Sequence, residues 1–287
     1  MNTQQLDMCF SAGEQLRKQN PLIHCITSPI AVNDCANAVL AIGARPIMAE
    51  HPKEAAGITA ISQALGVSLA NITDARAESI MISGRQALEK GLHSVIDVVG
   101  VNCSEFRMEL ANQFIRDCRP AVIKGNASEI RAIAGAAYGE AGIDTAASDQ
   151  VTRDNPGSVE AAAEVVRSFS KETGAVVLAS GIIDLVSDGT QVWMIENGSP
   201  LMARVTGTGC ILNCLIASCL ALSSARGHLT VSQAVCYAAV LLGIAGEIAE
   251  QWVPRKGALG SYHIAMIDAL SLTGTEEIRE KAKISLL

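Results

Sequence analysis

The chain has 287 residues, of which 49% are apolar, 18% charged and only 3% aromatic, and it carries a formal net charge of −7. That apolar share supports a sizeable core and excludes disorder, while the scarcity of aromatics leaves Ala, Val, Ile and Leu to fill it, as in helices laid over a parallel sheet. The acidic balance excludes a nucleic-acid partner, because phosphate backbones attract clustered Lys and Arg.

The first twenty residues are polar and lack the apolar centre of an export signal. Nine cysteines without a CxxC pair signal neither a zinc site nor a disulfide framework. Set among small apolar residues, they read as compact core thiols of a reducing compartment, the cytoplasm. Short β-branched runs then alternate with longer Ala-rich amphipathic segments, the pattern of βαβ units. Strands are expected at 22–25, 44–48, 66–70, 95–99, 121–124, 175–179, 185–187 and 191–195. Helices are expected at 33–42, 53–65, 75–90, 104–117, 128–134, 158–173, 210–222 and 233–251, with Thr230 and Gln233 as a capping box for the last.

Asp188-Gly189 between the last two strands predicts an antiparallel edge hairpin. The segment 138–157 is polar and Gly/Ala/Asp-rich, and reads as a surface loop or mobile excursion. The uncharged stretches 205–225 and 233–246 raise the question of a membrane. Residues 206–209 are Thr and Gly, which leaves 210–222 as apolar helix, short of the roughly 20 residues of a span. Both are expected as buried helices, with no membrane partner. No repeat or linker divides the chain, so 1–287 is expected to be one domain.

Three segments carry chemistry. In Val205-Thr206-Gly207-Thr208-Gly209-Cys210, a small-residue loop stands directly ahead of an apolar helix. The amides of Gly207, Thr208 and Gly209, aided by the helix N-terminus, can converge on a phosphoryl group; a plain tight turn uses the same residues. Residues 121–130 form a strand ending in Lys124, Gly125, Asn126 and Glu129. Lys124 suits phosphate oxygens and Glu129 suits a metal held through water, while Asn126 with Glu129 also has the spacing of a capping box. In the third, Asp97 interrupts an apolar strand just before Gly100. A strand-end carboxylate suits Mg²⁺, which takes few protein ligands, or it caps the next loop.

Together these segments resemble the hydroxyethylthiazole kinases of thiamine salvage, in the ribokinase-like superfamily. The likeness runs from Asn20 to Thr27 through Ala36-Asn37, Leu40 to Met48 and Lys124 to Ile130 to Thr206-Gly207-Thr208-Gly209-Cys210, and Cys after GTG is its specific mark. The resemblance implies an α/β, three-layer αβα sandwich with a mostly parallel central sheet and an antiparallel edge hairpin. It implies ATP as co-substrate, Mg²⁺ at Asp97 and Glu129, and transfer of the γ-phosphoryl to the primary alcohol of a thiazole. Cys210 is then the catalytic residue beside the attacking hydroxyl, Gly207 to Gly209 the anion hole, and Lys124 and Ser180 the ATP contacts. Met48 and Gly207 are then substrate contacts, though Met48 equally fits a core residue ending a strand. A homotrimer is implied, with sites between subunits.

A free thiol is a weak base near neutral pH, so a slow enzyme is expected, with the helix N-terminus lowering the Cys210 pKa. Ser28, Ser68, Ala70, Val98 and Asn102 depart from the family pattern around the expected substrate pocket. They leave open a kinase of another small hydroxyalkyl heterocycle, such as a pyrimidine alcohol. A dehydratase and a nucleotide sensor without turnover are further alternatives; Cys210 disfavours the first, and Lys124, Glu129 and Asp97 the second.

Overall fold

The computed structural model describes residues 9–139, 144–223, 229–255 and 257–287. Its elements begin with α1 (Ala12–Gln19), β1 (Leu22–Ile26), α2 (Val32–Ala41), β2 (Arg45–Ile47), α3 (Pro52–Ile61), β3 (Ala64–Ser68), α4 (Asp74–Lys90), β4 (Ser94–Asp97) and α5 (Glu105–Cys118). Then come β5 (Val122–Asn126), α6 (Ala127–Ile133), α7 (Pro156–Thr173), β6 (Val176–Ser180), β7 (Asp184–Ser187) and β8 (Val192–Ile195). The chain closes with α8 (Thr208–Leu220), α9 (Val231–Trp252), α10 (Leu259–Leu272), α11 (Thr275–Lys281) and β9 (Ile284–Leu286).

Among the described residues nine strands share one sheet, in the order β2-β1-β3-β4-β5-β6-β7-β8-β9. Pairings from β2 to β6 are parallel and the last three antiparallel. Successive strand residues point to opposite faces, so β1 and β3 to β8 each feed two cores. Ile23, Val95, Val122 and Leu178 join α1, α2, α8, α9 and α10 on one side. Leu65, Ile96, Ile123 and Val177 join α4, α5, α6 and α7 on the other. The result is the expected αβα sandwich. All nine cysteines are free thiols.

The predicted hairpin is present: Asp188 Oδ1 accepts the amides of Thr190 and Gln191, each at 2.9 Å, and Gly189 takes φ 87. β9 adds a third antiparallel partner, Ile195 facing Ile284. Three residues are too few to show an alternation, so this strand carries no pattern of its own. Elsewhere the boundaries shift. The pattern predicts helix to 65, yet α3 stops at Ile61: Ser62 Oγ donates to Ile58 O at 2.8 Å, and Gln63 N already donates to Leu22 O at 2.8 Å. Pairing with β1 draws the chain out of the helix. α1, α10 and α11 are also additions to the expected set.

α9 has the length and apolarity of a membrane span, but 89% of its most apolar stretch is buried inside the fold. α8 is buried from Ile211 to Leu220. The chain's first eight residues, 224–225 of the uncharged stretch and 140–143 of the expected loop lie outside the described residues. The described part of that loop is tethered. Asp149 Oδ2 accepts Ser128 Oγ at 2.6 Å and Gly139 N at 2.8 Å, which ties it to α6.

α8 sits closely on β3. A Cβ placed on Gly66 would lie 3.1 Å from Ala217 Cβ, and Asn213 Nδ2 donates to Val67 O at 3.1 Å. Gly66→Val therefore overpacks this contact and should cost about 1–3 kcal/mol. Urea denaturation checks it, and an unchanged midpoint would mean that α8 is not seated against β3.

Candidate active site

In an open parallel sheet ligands bind beyond the carboxyl ends of the strands. Strand register brings three expected residues to that edge. Asp97 ends β4 and faces Lys124 of β5, while Asn126 at the end of β5 faces Ser180 of β6. Lys124 Nζ lies 3.0 Å from Asp97 Oδ2, and the two side chains are only 5% and 2% exposed. Asp97 therefore pairs with a cation, and the Val99 backbone of the following loop also acts on its carboxylate. Burial opposes the Lys124 charge, but Asp97, then Glu129 and Cys210, outweigh it and hold the ammonium above its ordinary pKa. Burial pushes the Asp97 carboxyl upward and Lys124 restrains it. Its other oxygen, Oδ1, is buried with no hydrogen-bond partner.

Glu129 occupies the first turn of α6 and closes the capping box expected there. Asn126 Oδ1 accepts Glu129 N at 2.9 Å, and Glu129 Oε2 accepts Asn126 N at 2.7 Å. Its Oε1 accepts Gly100 N at 2.8 Å and so also fixes the loop after Asp97, where Gly100 takes φ 77. Burial and the neighbouring Asp97 push Glu129 up to about 7, against two backbone amides and Lys124. No group of three or more metal-ligating side chains stands together among the described residues.

The glycine loop closes on this cluster. Gly207 precedes α8 with φ 90, and a Cβ there would meet Ala31 Cβ at 2.8 Å, so both backbone angle and space require glycine. No side chain caps the helix, and its first backbone bond runs from Ile211 N to Gly207 O at 2.8 Å. The amides of Thr208, Gly209 and Cys210 precede that bond and are left for an anion. A Cβ on Gly209 would lie 3.2 Å from Lys124 Nζ, so the loop and the buried cation meet at this point.

Cys210 follows, half-buried, and here the structure corrects an expectation. Burial, then the nearby Asp97, push the thiol up to about 11, whereas the helix N-terminus alone predicts a lowered value. Lys124 and the Thr27 hydroxyl pull the other way and lose.

Ser180 is half-buried at the edge, its Oγ donating to Gly125 O at 3.2 Å. Met48 is not brought to this cluster. It follows β2, which β1 and β3 separate from β4, so within one chain it stands three strand spacings, about 14 Å, from Asp97. It packs at the margin of one core. The departures found in the sequence fall between them. Ser28 Oγ donates to Asn71 Oδ1 at 2.7 Å, Ser68 Oγ accepts Ala70 N at 3.3 Å, and Val98 Cγ2 would lie 2.9 Å from a Cβ on Gly125. Asn102 lies in the single turn Val101–Cys103, and Gly100 rather than Asn102 carries the left-handed angle.

Sequence reasoning missed two buried polar residues here. Asn213 was visible as the one amide in an apolar run; Arg76, in a charged helix start, carried no signal.

A model of the hydroxyethylthiazole kinase family matches residues 14–276. Hydroxyethylthiazole kinase 2 of Clostridium botulinum (strain Kyoto / Type A2) is 42% identical over 272 residues, covering 95% of this chain and 98% of the relative. Hydroxyethylthiazole kinase of Desulfovibrio desulfuricans is 38% identical over 280 residues, covering 95% and 96%. Among solved structures, a hydroxyethylthiazole kinase protein from Pyrococcus horikoshii OT3 superposes with a TM-score of 0.83 at 28% identity, covering 97% of this chain and 98% of that one. Pyridoxal kinase from Staphylococcus aureus in complex with ADP reaches 0.61 at 12% identity, covering 93% and 97%, which is a likeness of fold.

Removing one member of a buried ion pair strands the other charge, so Lys124→Met should cost about 3–5 kcal/mol. The double variant Asp97→Asn with Lys124→Met should recover much of that loss. Chemical denaturation of wild type, the two single variants and the double variant checks this; additive losses would show that the two side chains are not coupled.

Proposed function

The chain belongs to the hydroxyethylthiazole kinase family, and from that membership we propose that it phosphorylates the primary hydroxyl of 4-methyl-5-(2-hydroxyethyl)thiazole with ATP, giving the thiazole phosphate for thiamine salvage. It works as one ribokinase-like kinase domain over 1–287. The observation that carries this reading is the buried Lys124 ammonium meeting the glycine loop at Gly209. A buried cation beside the uncapped start of a helix stabilises charge on a phosphoryl group in flight, the main demand of a loose transition state.

Lys124 and Ser180 contact ATP, and Gly207, Thr208 and Gly209 form the anion hole for the transferring group. Asp97 and Glu129 would hold Mg²⁺: Asp97 Oδ1 is buried without a partner, whereas both Glu129 oxygens already accept backbone amides, so Glu129 would act on the ion through water. When bound, the ion neutralises phosphate charge and orients the triphosphate. Asp97 also keeps Lys124 protonated, and Glu129 fixes the loop between them. Cys210 lies beside the attacking hydroxyl as a neutral thiol and orients it by a weak hydrogen bond. With so high a pKa it holds little thiolate, and rate comes from positioning and charge stabilisation, so turnover is slow.

The acceptor site completes between subunits of a cytoplasmic homotrimer. Within one chain Met48 is remote from Asp97, and Ile30, Leu40 and Ile264, at 68%, 55% and 67% exposure, leave apolar surface around α2 and α10 for a second copy. Light scattering should give three times the chain mass; a monomer with full activity would contradict this arrangement.

The activity test is a mass-spectrometric product assay with ATP, Mg²⁺ and either hydroxyethylthiazole or hydroxymethylpyrimidine. Thiazole phosphate is expected. Pyrimidine phosphate alone would make Ser28, Ser68, Ala70 and Val98 determinants of a different acceptor. Cys210→Asp should preserve or raise turnover, since the carboxylate is a stronger acceptor of the hydroxyl proton near neutral pH; complete loss would argue against the placement of residue 210.

A further inference from the structure

The segments leaving β1, β2 and β3 meet at Arg76. This residue lies in the first turn of α4, behind the Thr73 N-cap, with its guanidinium buried at 4% exposure. Nη2 donates to Thr27 O, one residue past β1, and Nη1 donates to Asn71 O at 3.1 Å, three residues past β3. Nε lies 3.4 Å from Glu50 Oε2, three residues past β2. Glu50 is further held by Ser79, whose Oγ donates to Glu50 O at 2.7 Å, and His24 Nε2 meets Ala49 O at 2.8 Å.

Such a placement is expensive on general grounds. A cation in the first helical turn opposes the helix dipole, and burying a guanidinium costs several kcal/mol unless it is well paired. Apolar side chains fill space at lower cost, so a structural filler explains neither the charge nor the fork. Nη1 and Nη2 are matched to carbonyls from two different crossovers, while Nε has no hydrogen-bond partner and lies at ion-pair distance from a half-exposed carboxylate of the third; a planar, multidentate group is the side chain that can reach all three segments at once.

These segments border the glycine loop on the side away from Lys124. Thr27 stands near Cys210, its hydroxyl meeting Cys35 Sγ at 3.7 Å, and Ala31 packs against Gly207. Met48 and the Ser28–Asn71 pair belong to the same segments. We infer that Arg76 is a positioning residue: its guanidinium fixes the three crossover segments relative to one another and so sets the shape of the acceptor-alcohol side of the site. The inference rests on the kinase reading for the word acceptor, and on the observed contacts for the rest.

Two readouts on wild type and Arg76→Lys test it. Lysine keeps the charge but replaces the fork with a point, so KM for hydroxyethylthiazole should rise about tenfold while KM for ATP stays within about twofold. Amide hydrogen exchange should rise at 27–31, 48–51 and 69–73 and stay unchanged at 122–130. Unchanged exchange in the three segments overturns the inference, as does an equal rise in both KM values. Wild-type protein without turnover on hydroxyethylthiazole would sink the kinase reading alone, because exchange still reads the clamp. Should Arg76→Lys not yield folded protein, Glu50→Gln decides, since Glu50 is 52% exposed. It should raise exchange at 48–51 and KM for the alcohol by about threefold, and wild-type behaviour in both would overturn the inference.

Discussion

The site depends on one buried ion pair. Lys124 and Asp97 stand side by side on adjacent parallel strands, almost without solvent, at the edge where the glycine loop arrives. A lone ammonium would not stay charged at that depth, and a lone carboxylate would repel a triphosphate. Together they keep a cation charged where the loop arrives, with the acid beside it. Glu129 serves the same arrangement from the other direction, since its two oxygens hold the start of α6 and the loop after β4 around the pair.

That arrangement accounts for the chemistry of Cys210. A thiol near a net acidic, desolvated cluster is held neutral, and the partial charge of the helix end does not compensate. In the proposed reaction catalysis falls to the groups whose charge is fixed: the ammonium and the helix amides, which need no proton transfer to act. The neutral thiol adds little bulk and little charge where an alcohol must approach.

Much of this was legible in the sequence, for identifiable reasons. Strands buried on both faces read as short aliphatic runs, and Asp97, Lys124 and Glu129 stood out because they interrupt or end such runs. The Asn126–Glu129 capping box and the Asp188-Gly189 turn are local chemistry, fixed within four residues, and both are present as expected. What was hidden depended on tertiary context. β9 exists because β8 offers an open edge, α3 ends where pairing with β1 begins, and the Cys210 thiol shifts through burial that no local pattern records. Arg76 looked like one of several charges at a helix start, and only the convergence of three crossovers distinguishes it.

The same contacts divide the site into two halves with different mechanical character. On the nucleotide side, fixed charges are held by strand register and a capping box, elements formed by neighbouring residues and adjacent strands. On the side of β1 to β3, shape comes from crossover segments tied through side chains such as Arg76, His24 and Ser28. Gly66 links the halves, because the seating of α8 on β3 sets how the glycine loop meets both. Of the positions singled out in the sequence, Ser28, Ser68 and Ala70 lie at or just after β1 and β3, while Val98 and Asn102 follow Asp97. A site built this way can alter the alcohol it accepts while keeping its phosphoryl-transfer machinery intact.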